Sequence, residues 1–360
     1  MTPPSLLYVF RDGWRQRLEE VGRGDAPAES YGYFALAAQG VEVDAVDSAA
    51  VTSTAWLVAS RAYQRGYTIP RSGFGYRLDQ ARAVGKHLGD DGERVVVATT
   101  DSIALPLLAL HRRGRLRNPI VYVSIGLSDA VARGAVHPRL VRRYACLALA
   151  ARVVLVFTPA ERDAFAAFAP RANVRVVRLG IDSAWWSAGD SAAAVDVLAP
   201  GRDVSRSFAT LATAVEGARF RTQILGRIAA RQGVRPTAQL ELRDDVGFAE
   251  FRRRLRSARV VAIPSQRSVY GSGQATALQA MAAGRPVVMT DTGWARHFGL
   301  SPDGHFVEVP PEDPNALRAA LEWVLADTQR AEELGDRAQA AVADLFGLER
   351  QAGELLDVIA

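Results

Sequence analysis

Among its 360 residues the chain has one cysteine, Cys146, and one lysine, Lys86, and nearly all of its 44 basic residues are arginine. A lone cysteine excludes an intramolecular disulfide framework and any cysteine-cluster metal site, which suits a reducing compartment. It lies in an apolar helix pattern, so a buried thiol is expected. The lone lysine is followed by His87, which excludes a Gly-x-x-x-x-Gly-Lys-Ser/Thr phosphate loop. The opening MTPPSLLYVFRDG has too short an apolar run for a secretory signal, and nothing later reaches transmembrane length, so the cytoplasm is the expected compartment. No Gly-x-Gly-x-x-Gly follows the first strand and no Gly-x-Ser-x-Gly elbow occurs; Ser272 has flanking glycines at the wrong spacing. His87, His111, His137, His297 and His305 are scattered, with no metal-ligand spacing. Between Phe251 and Thr290 there is no Asp or Glu at all.

What is present is globular: 49% apolar and 23% charged, with length for two domains. The net charge of +5 is diffuse and no nucleic-acid module is visible, so an anionic small ligand fits better than DNA or RNA. Arg139, Arg142 and Arg143 gather at one end of HPRLVRRYACLALAA (137–151). They would suit peripheral contact with a membrane bearing a lipid-linked acceptor, although a charge run of this kind is more often an ordinary solvated helix end.

Strand-like runs alternate with helix-like ones, the pattern of doubly wound parallel sheets. The strands read 6–10, 41–46, 95–99, 120–124, 153–157 and 174–179, then 195–198, 219–225, 239–242, 260–263, 287–289 and 306–309. SAGDSAAA (187–194) has linker composition. The expected domains are therefore 1–190 and 191–345, each Rossmann-like, with a closing helix over 346–360 that packs back toward the first domain. Strand C-ends facing a shared cleft would place ligands there.

The most informative segment is 259–298. Val260 to Ile263 form a continuous apolar run, Pro264-Ser265 stops it, Gly271 and Gly273 open a loop, and a helix is expected over 273–283 before the strand 287–289. A glycine-rich turn feeding a helix N-terminus offers free N–H groups and a positive dipole end, which favour phosphate.

These residues resemble the donor-site motif of the retaining GT-B glycosyltransferases, in particular the GT4-like group. The resemblance runs through LQAMAAGRPVVMTDTG (278–293), FTPAERDAF (157–165), RLGIDSAWW (178–186), VLAPGRDVSRSFATLATAV (197–215) and FVEVPPEDPNALRAALEWVLAD (306–327). It implies a GT-B fold: two Rossmann-like doubly wound parallel-sheet domains facing a central cleft. It implies also a retaining, metal-independent transfer of sugar from a nucleotide-diphosphate donor to an unidentified acceptor, with no cofactor. Arg202 and Arg206 stand where the family holds the pyrophosphate with Arg and Lys, and Arg keeps the charge while changing the geometry. Both could instead be surface charges of a loop. The amides of Gly273, Gln274 and Ala275 would complete the clamp.

The family's two donor-site glutamates fall on Gly271 and Gln279. Gln279 can still bond a ribose diol through its amide, unless it simply faces solvent; Ser272 and Gln274 lie beside the sugar or phosphate position. Arg243 belongs to the base region, where Glu241 to Asp245 would offer backbone contacts. On the acceptor side, Gly13, Trp14 and Tyr31 lie in the long loop 11–33, with Trp14 either stacking on a ligand or packing in the core. Ser124 stands where the family commonly has a histidine. Loss of both glutamates leaves a second reading: a catalytically silent GT-B protein that binds nucleotide or partners an active transferase.

Overall fold

The computed structural model describes residues 4–10, 13–46, 81, 84, 87–88, 93–189 and 194–359. Lys86 and part of the 187–194 segment lie outside them. The chain divides into two compact units. The first comprises Met1–Gly22, Glu29–Arg178 and Gln351–Ala360, the second Arg23–Ala28 and Leu179–Arg350. The later division stands between Arg178 and Leu179.

The first unit is built on a parallel sheet in the order β2-β1-β3-β4-β5-β6. These strands are β1 Leu6–Val9, β2 Val43–Val46, β3 Val95–Ala98, β4 Ile120–Val123, β5 Val153–Val156 and β6 Val174–Val176. Four of them, LLYV, VVVA, IVYV and VVLV, are buried along their whole length. Burial on both faces explains why they read as unbroken apolar runs rather than alternating ones. Helices 101–111 and 159–168 pack with them into one core that includes Leu107, Leu108, Tyr122 and Phe165. The last strand stops at Val176, short of the expected 179, because Arg178 is engaged elsewhere. Its backbone N–H donates to Glu354 Oε2 at 3.0 Å, its guanidinium pairs with the same carboxylate, and Gln351 Nε2 bonds its carbonyl at 3.0 Å. These contacts fasten residues 351–359 of the C-terminal helix Leu348–Ile359 within the first unit.

The second unit repeats the plan with the order β12-β11-β10-β7-β8-β9, all parallel. Its strands are β7 Val195–Pro200, β8 Thr222–Leu225, β9 Leu240–Arg243, β10 Ala258–Ile263, β11 Val287–Met289 and β12 Val307–Glu308. The strand order reverses between β7 and β10, and the carboxyl ends at such a switch point are where doubly wound sheets bind ligands. The helix after β10 spans Gln274–Ala282, one residue inside each expected limit, because Gly273 takes a left-handed φ of 85° as its cap. Asp313 and Asp327 cap the helices Pro314–Leu325 and Thr328–Leu345.

Cys146 is exposed, against the expectation of a buried thiol. The helix Pro138–Ala148 buries Tyr144, Leu147 and Ala148. At about 100° per residue Cys146 falls roughly opposite Tyr144, on the side of Arg139 and Arg142. Apolar neighbours in sequence therefore do not share its face.

Candidate donor-binding site

The loops that leave β7 and β10 meet at the switch point of the second unit. An antiparallel bridge joins Arg206 to Ser265, Ser207 N–H donates to Pro264 O at 3.0 Å, and Gln266 N–H donates to Ser205 O at 2.8 Å. Gln232 ties the first loop down from outside the motif. Its Nε2 donates to Arg206 O at 2.6 Å and its Oε1 accepts the Phe208 N–H at 3.1 Å. No short-range pattern marks Gln232, because its partners lie more than 20 residues away in sequence.

Arg206 is 2% exposed, and its Nε and Nη1 are buried without a hydrogen-bond partner. The guanidinium lies between two glycines: a methyl group built on Gly201 would sit 2.8 Å from Nε, and one on Gly273 would sit 2.6 Å from Nη1. Burial holds its pKa down at about 10, with Asp203 and Tyr270 offsetting part of that effect. Burying an unpaired cation costs free energy, and the cost is recovered when an anion supplies acceptors. Ser272 Oγ and Gln274 Nε2, on residues each 2% exposed, are also buried and unpartnered. Arg206 and Gln274 thus leave three N–H-bearing nitrogens unsatisfied beside a helix N-terminus.

The two arginines of the loop are not equivalent. The Arg202 side chain is 70% exposed, with Nε 3.2 Å from Asp245 Oδ1 and Nη2 donating to Val246 O at 3.2 Å. The Gln274 N–H donates to Gly271 O at 3.0 Å and the Ala277 N–H to Gly273 O at 2.8 Å, so the helix offers the amides of Ala275 and Thr276. Gly271 is buried, and so is Gln279 at 8% exposed, which removes the solvent-facing reading for that glutamine. Arg243 lies at the end of β9, paired with Glu241.

Candidates of the first unit occupy a different setting. Trp14 is buried, with its ring 3.7 Å from that of Phe10 and edge-on contacts to Tyr33, so it packs in the core. Gly13 has a φ of 94° just before it. Tyr31, at a φ of 51°, lies against Phe157, and its carbonyl accepts Tyr8 Oη at 3.1 Å. Ser124 is fully buried and donates to Asp101 Oδ1 at 2.7 Å. The sequence reading missed Asp101 and Glu161. A Thr-x-x-Glu capping box, Thr158 to Glu161, was there to be read inside FTPAERDAF.

Residues 204–327 match the family model described as glycosyl transferases group 1. The fold is that of the GT-B glycosyltransferases. Among solved GT-B structures, HepE of Anabaena in complex with UDP and glucose aligns with a TM-score of 0.66 at 14% identity, over 99% of each chain. Sucrose-phosphate synthase of Thermosynechococcus elongatus aligns with a TM-score of 0.70 at 16% identity, over 99% of this chain and 98% of its own. A glycosyltransferase of Rickettsia africae aligns with a TM-score of 0.65 at 12% identity, over 100% and 98%. A search of curated proteins found no match by sequence. The matched segment includes Arg206, Gln232 and the loop from Pro264 to Gly273 described above. Among the described residues, no group of three or more His, Cys, Asp or Glu is placed to hold a metal ion, and no helix is long and apolar enough to cross a membrane.

Gly273 offers a direct test of this packing. A Cβ there would lie 2.5 Å from Ile263 Cγ2 as well as against Arg206, at a φ of 85°. Gly273→Ala is expected to cost about 1–3 kcal/mol of stability by forcing the Arg206 guanidinium aside. Denaturant unfolding checks it: a midpoint equal to wild type would show that Gly273 is not packed against Arg206.

Proposed function

We propose that the chain is a retaining, metal-independent glycosyltransferase of the GT4-like group that takes its sugar from a nucleotide-diphosphate donor. The observation that carries this reading is Arg206, a buried cation whose donors are unpaired and whose walls are two glycines at the switch point. As the glycosidic bond breaks, the leaving diphosphate gains charge. Arg206 and the amides of Ala275 and Thr276 would stabilise it in place, without the reorganisation that water would need. Arg202, held by Asp245, would swing to the outer phosphate or remain a rim charge. Gln274 and Gln279 would bond sugar and ribose hydroxyls through neutral amides, in place of the two glutamates. The acceptor side would lie in the first unit, around Tyr31 and Ser124, and the exposed Arg139 and Arg142 would serve a membrane-borne acceptor.

HepE was solved with UDP and with UDP-glucose, which makes these the first donors to try. The test is a thermal-shift panel of UDP-, GDP-, dTDP- and ADP-sugars, where a ligand at a hundred times its dissociation constant adds roughly 2.7 kcal/mol. No shift with any of them sinks the reading. A shift without donor hydrolysis or transfer would instead favour the catalytically silent GT-B protein. Since fixed side-chain and backbone donors do the work of charge stabilisation here, EDTA is expected to leave UDP-sugar hydrolysis unchanged. Loss of rate that Mg²⁺ or Mn²⁺ restores would replace this mechanism with a metal-assisted one.

A further inference from the structure

The net charge of +5 is not spread evenly along the chain. Residues 102–160 hold nine arginines and one acid, Asp129, a balance of +8 with His neutral, so the remainder is negative. Asp129 is itself taken up by Arg133. The whole segment belongs to the first unit. Arg112, Arg113, Arg115 and Arg117, in the loop between helix 101–111 and β4, are exposed, and so are Arg139 and Arg142 on helix 138–148. Among the described residues, none of these six is paired with a carboxylate. By contrast, Arg243, Arg253 and Arg318 of the second unit each pair with a glutamate.

The loop and the helix share a face. Arg112 Nη1 donates to Cys146 O at 3.3 Å, which joins the loop to the C-terminal half of the helix. Arg139, Arg142, Cys146 and Leu149 are exposed at steps of three or four residues, while Tyr144, Leu147 and Ala148 are buried. The outer stripe therefore runs from two guanidinium groups to Leu149, the C-cap, which is 47% exposed. A cationic patch that ends in an apolar side chain suits a bilayer surface, where lipid phosphates meet the arginines and the headgroup boundary takes the leucine. A single-stranded nucleic acid would call for exposed aromatic rings among the cations. The aromatic residues of the segment, Tyr122, Tyr144 and Phe157, are all buried.

We propose that loop 112–117 and the outer stripe of helix 138–148 form a docking surface for an anionic phospholipid bilayer, with Leu149 entering the headgroup layer. The surface rests on charge and exposure alone; that it would bring the first unit to a lipid-borne acceptor rests on the transferase reading above.

The test is sedimentation of the full-length protein with vesicles of phosphatidylcholine alone and of equal parts phosphatidylcholine and phosphatidylglycerol. Binding is expected only to the second, and to be lost at about 1 M NaCl, where the Debye length shrinks to about 3 Å. The triple variant Arg113→Gln, Arg115→Gln, Arg117→Gln should bind about a hundredfold more weakly, at roughly fivefold per arginine near such a surface. Leu149→Gln should lose about three- to tenfold, since it removes apolar area rather than charge. Both variants should bind UDP as wild type does, because Arg206 belongs to the other unit.

Equal sedimentation with the two kinds of vesicle, or no loss in the triple variant, overturns the surface. Equal vesicle binding by wild type and Leu149→Gln, or tighter binding to poly(A) RNA than to the anionic vesicles, overturns the bilayer as its occupant. Wild type that binds UDP but no vesicle removes the surface and leaves the transferase reading standing. Wild type that binds anionic vesicles but neither UDP nor any nucleotide sugar does the reverse.

Discussion

Arg206→Met is expected to weaken UDP binding by about 10²–10⁴-fold while uridine binding stays within a few-fold. Two lost charge-assisted hydrogen bonds, at about 1.5–3 kcal/mol each, set that range. Methionine fills much of the space without a charge, so the ligand-free variant should unfold no more easily than wild type. It should be the more stable of the two if burying the unpaired guanidinium is costly. This opposite sign separates a ligand-binding arginine from a structural one. Titration calorimetry with UDP and uridine, alongside urea unfolding, reads both quantities. Equal losses for the two ligands, or a large loss of stability without ligand, would make Arg206 a structural residue and remove the main support for the diphosphate site.

Glu161→Gln is expected to be nearly neutral at pH 5 and clearly stabilising at pH 9. Folded Glu161 holds its proton up to about 8 against an ordinary 4.5, so the native state binds the extra proton between those values. Its contribution is fully present below about 4.5 and is lost as pH rises through about 8. Glutamine mimics the protonated form and cannot ionise. The gain at pH 9 should be on the order of 5 kcal/mol as an upper bound, from about 1.36 kcal/mol per pKa unit. Asp101 adds a smaller loss of the same sign, ending near 6. Unfolding in urea at the two pH values decides it: equal stabilisation at both would mean that folded Glu161 is already ionised at pH 5.

All twelve strands of the described residues were legible from the alternation of strand-like and helix-like runs, most plainly β1, β3, β4 and β5, which are buried along their whole length and leave an uninterrupted apolar signature. Their ends were less so. The strand expected over 174–179 stops at Val176, since Arg178 is taken up by Glu354 and Gln351, some 170 residues later. Cys146 was misplaced for a related reason: composition around a residue does not say which side of the helix it faces. The donor loops were found through Gly271, Gly273 and the pair of arginines. The difference between those arginines was not visible in APGRDVSRSF.

The sequence by itself determined the alternation of strand and helix, the doubly wound class and the place of the glycine-rich turn. Each depends on residues close together along the chain: side-chain periodicity, helix capping and glycine's access to positive φ. Only the tertiary structure decided which polar groups are shut away from water, and with what partners. Arg206 is buried because the β7 and β10 loops close over it with Gly201 and Gly273 as walls, while Arg202, four residues earlier, reaches Asp245 in solvent. Asp101 and Glu161, on the helices that follow β3 and β5, are both shut away from water, the first with Tyr122 and Ser124 as donors and the second with the Phe157 N–H. The energy of a charge depends on the dielectric and the donors around it, and a folded chain draws those from segments far apart in sequence.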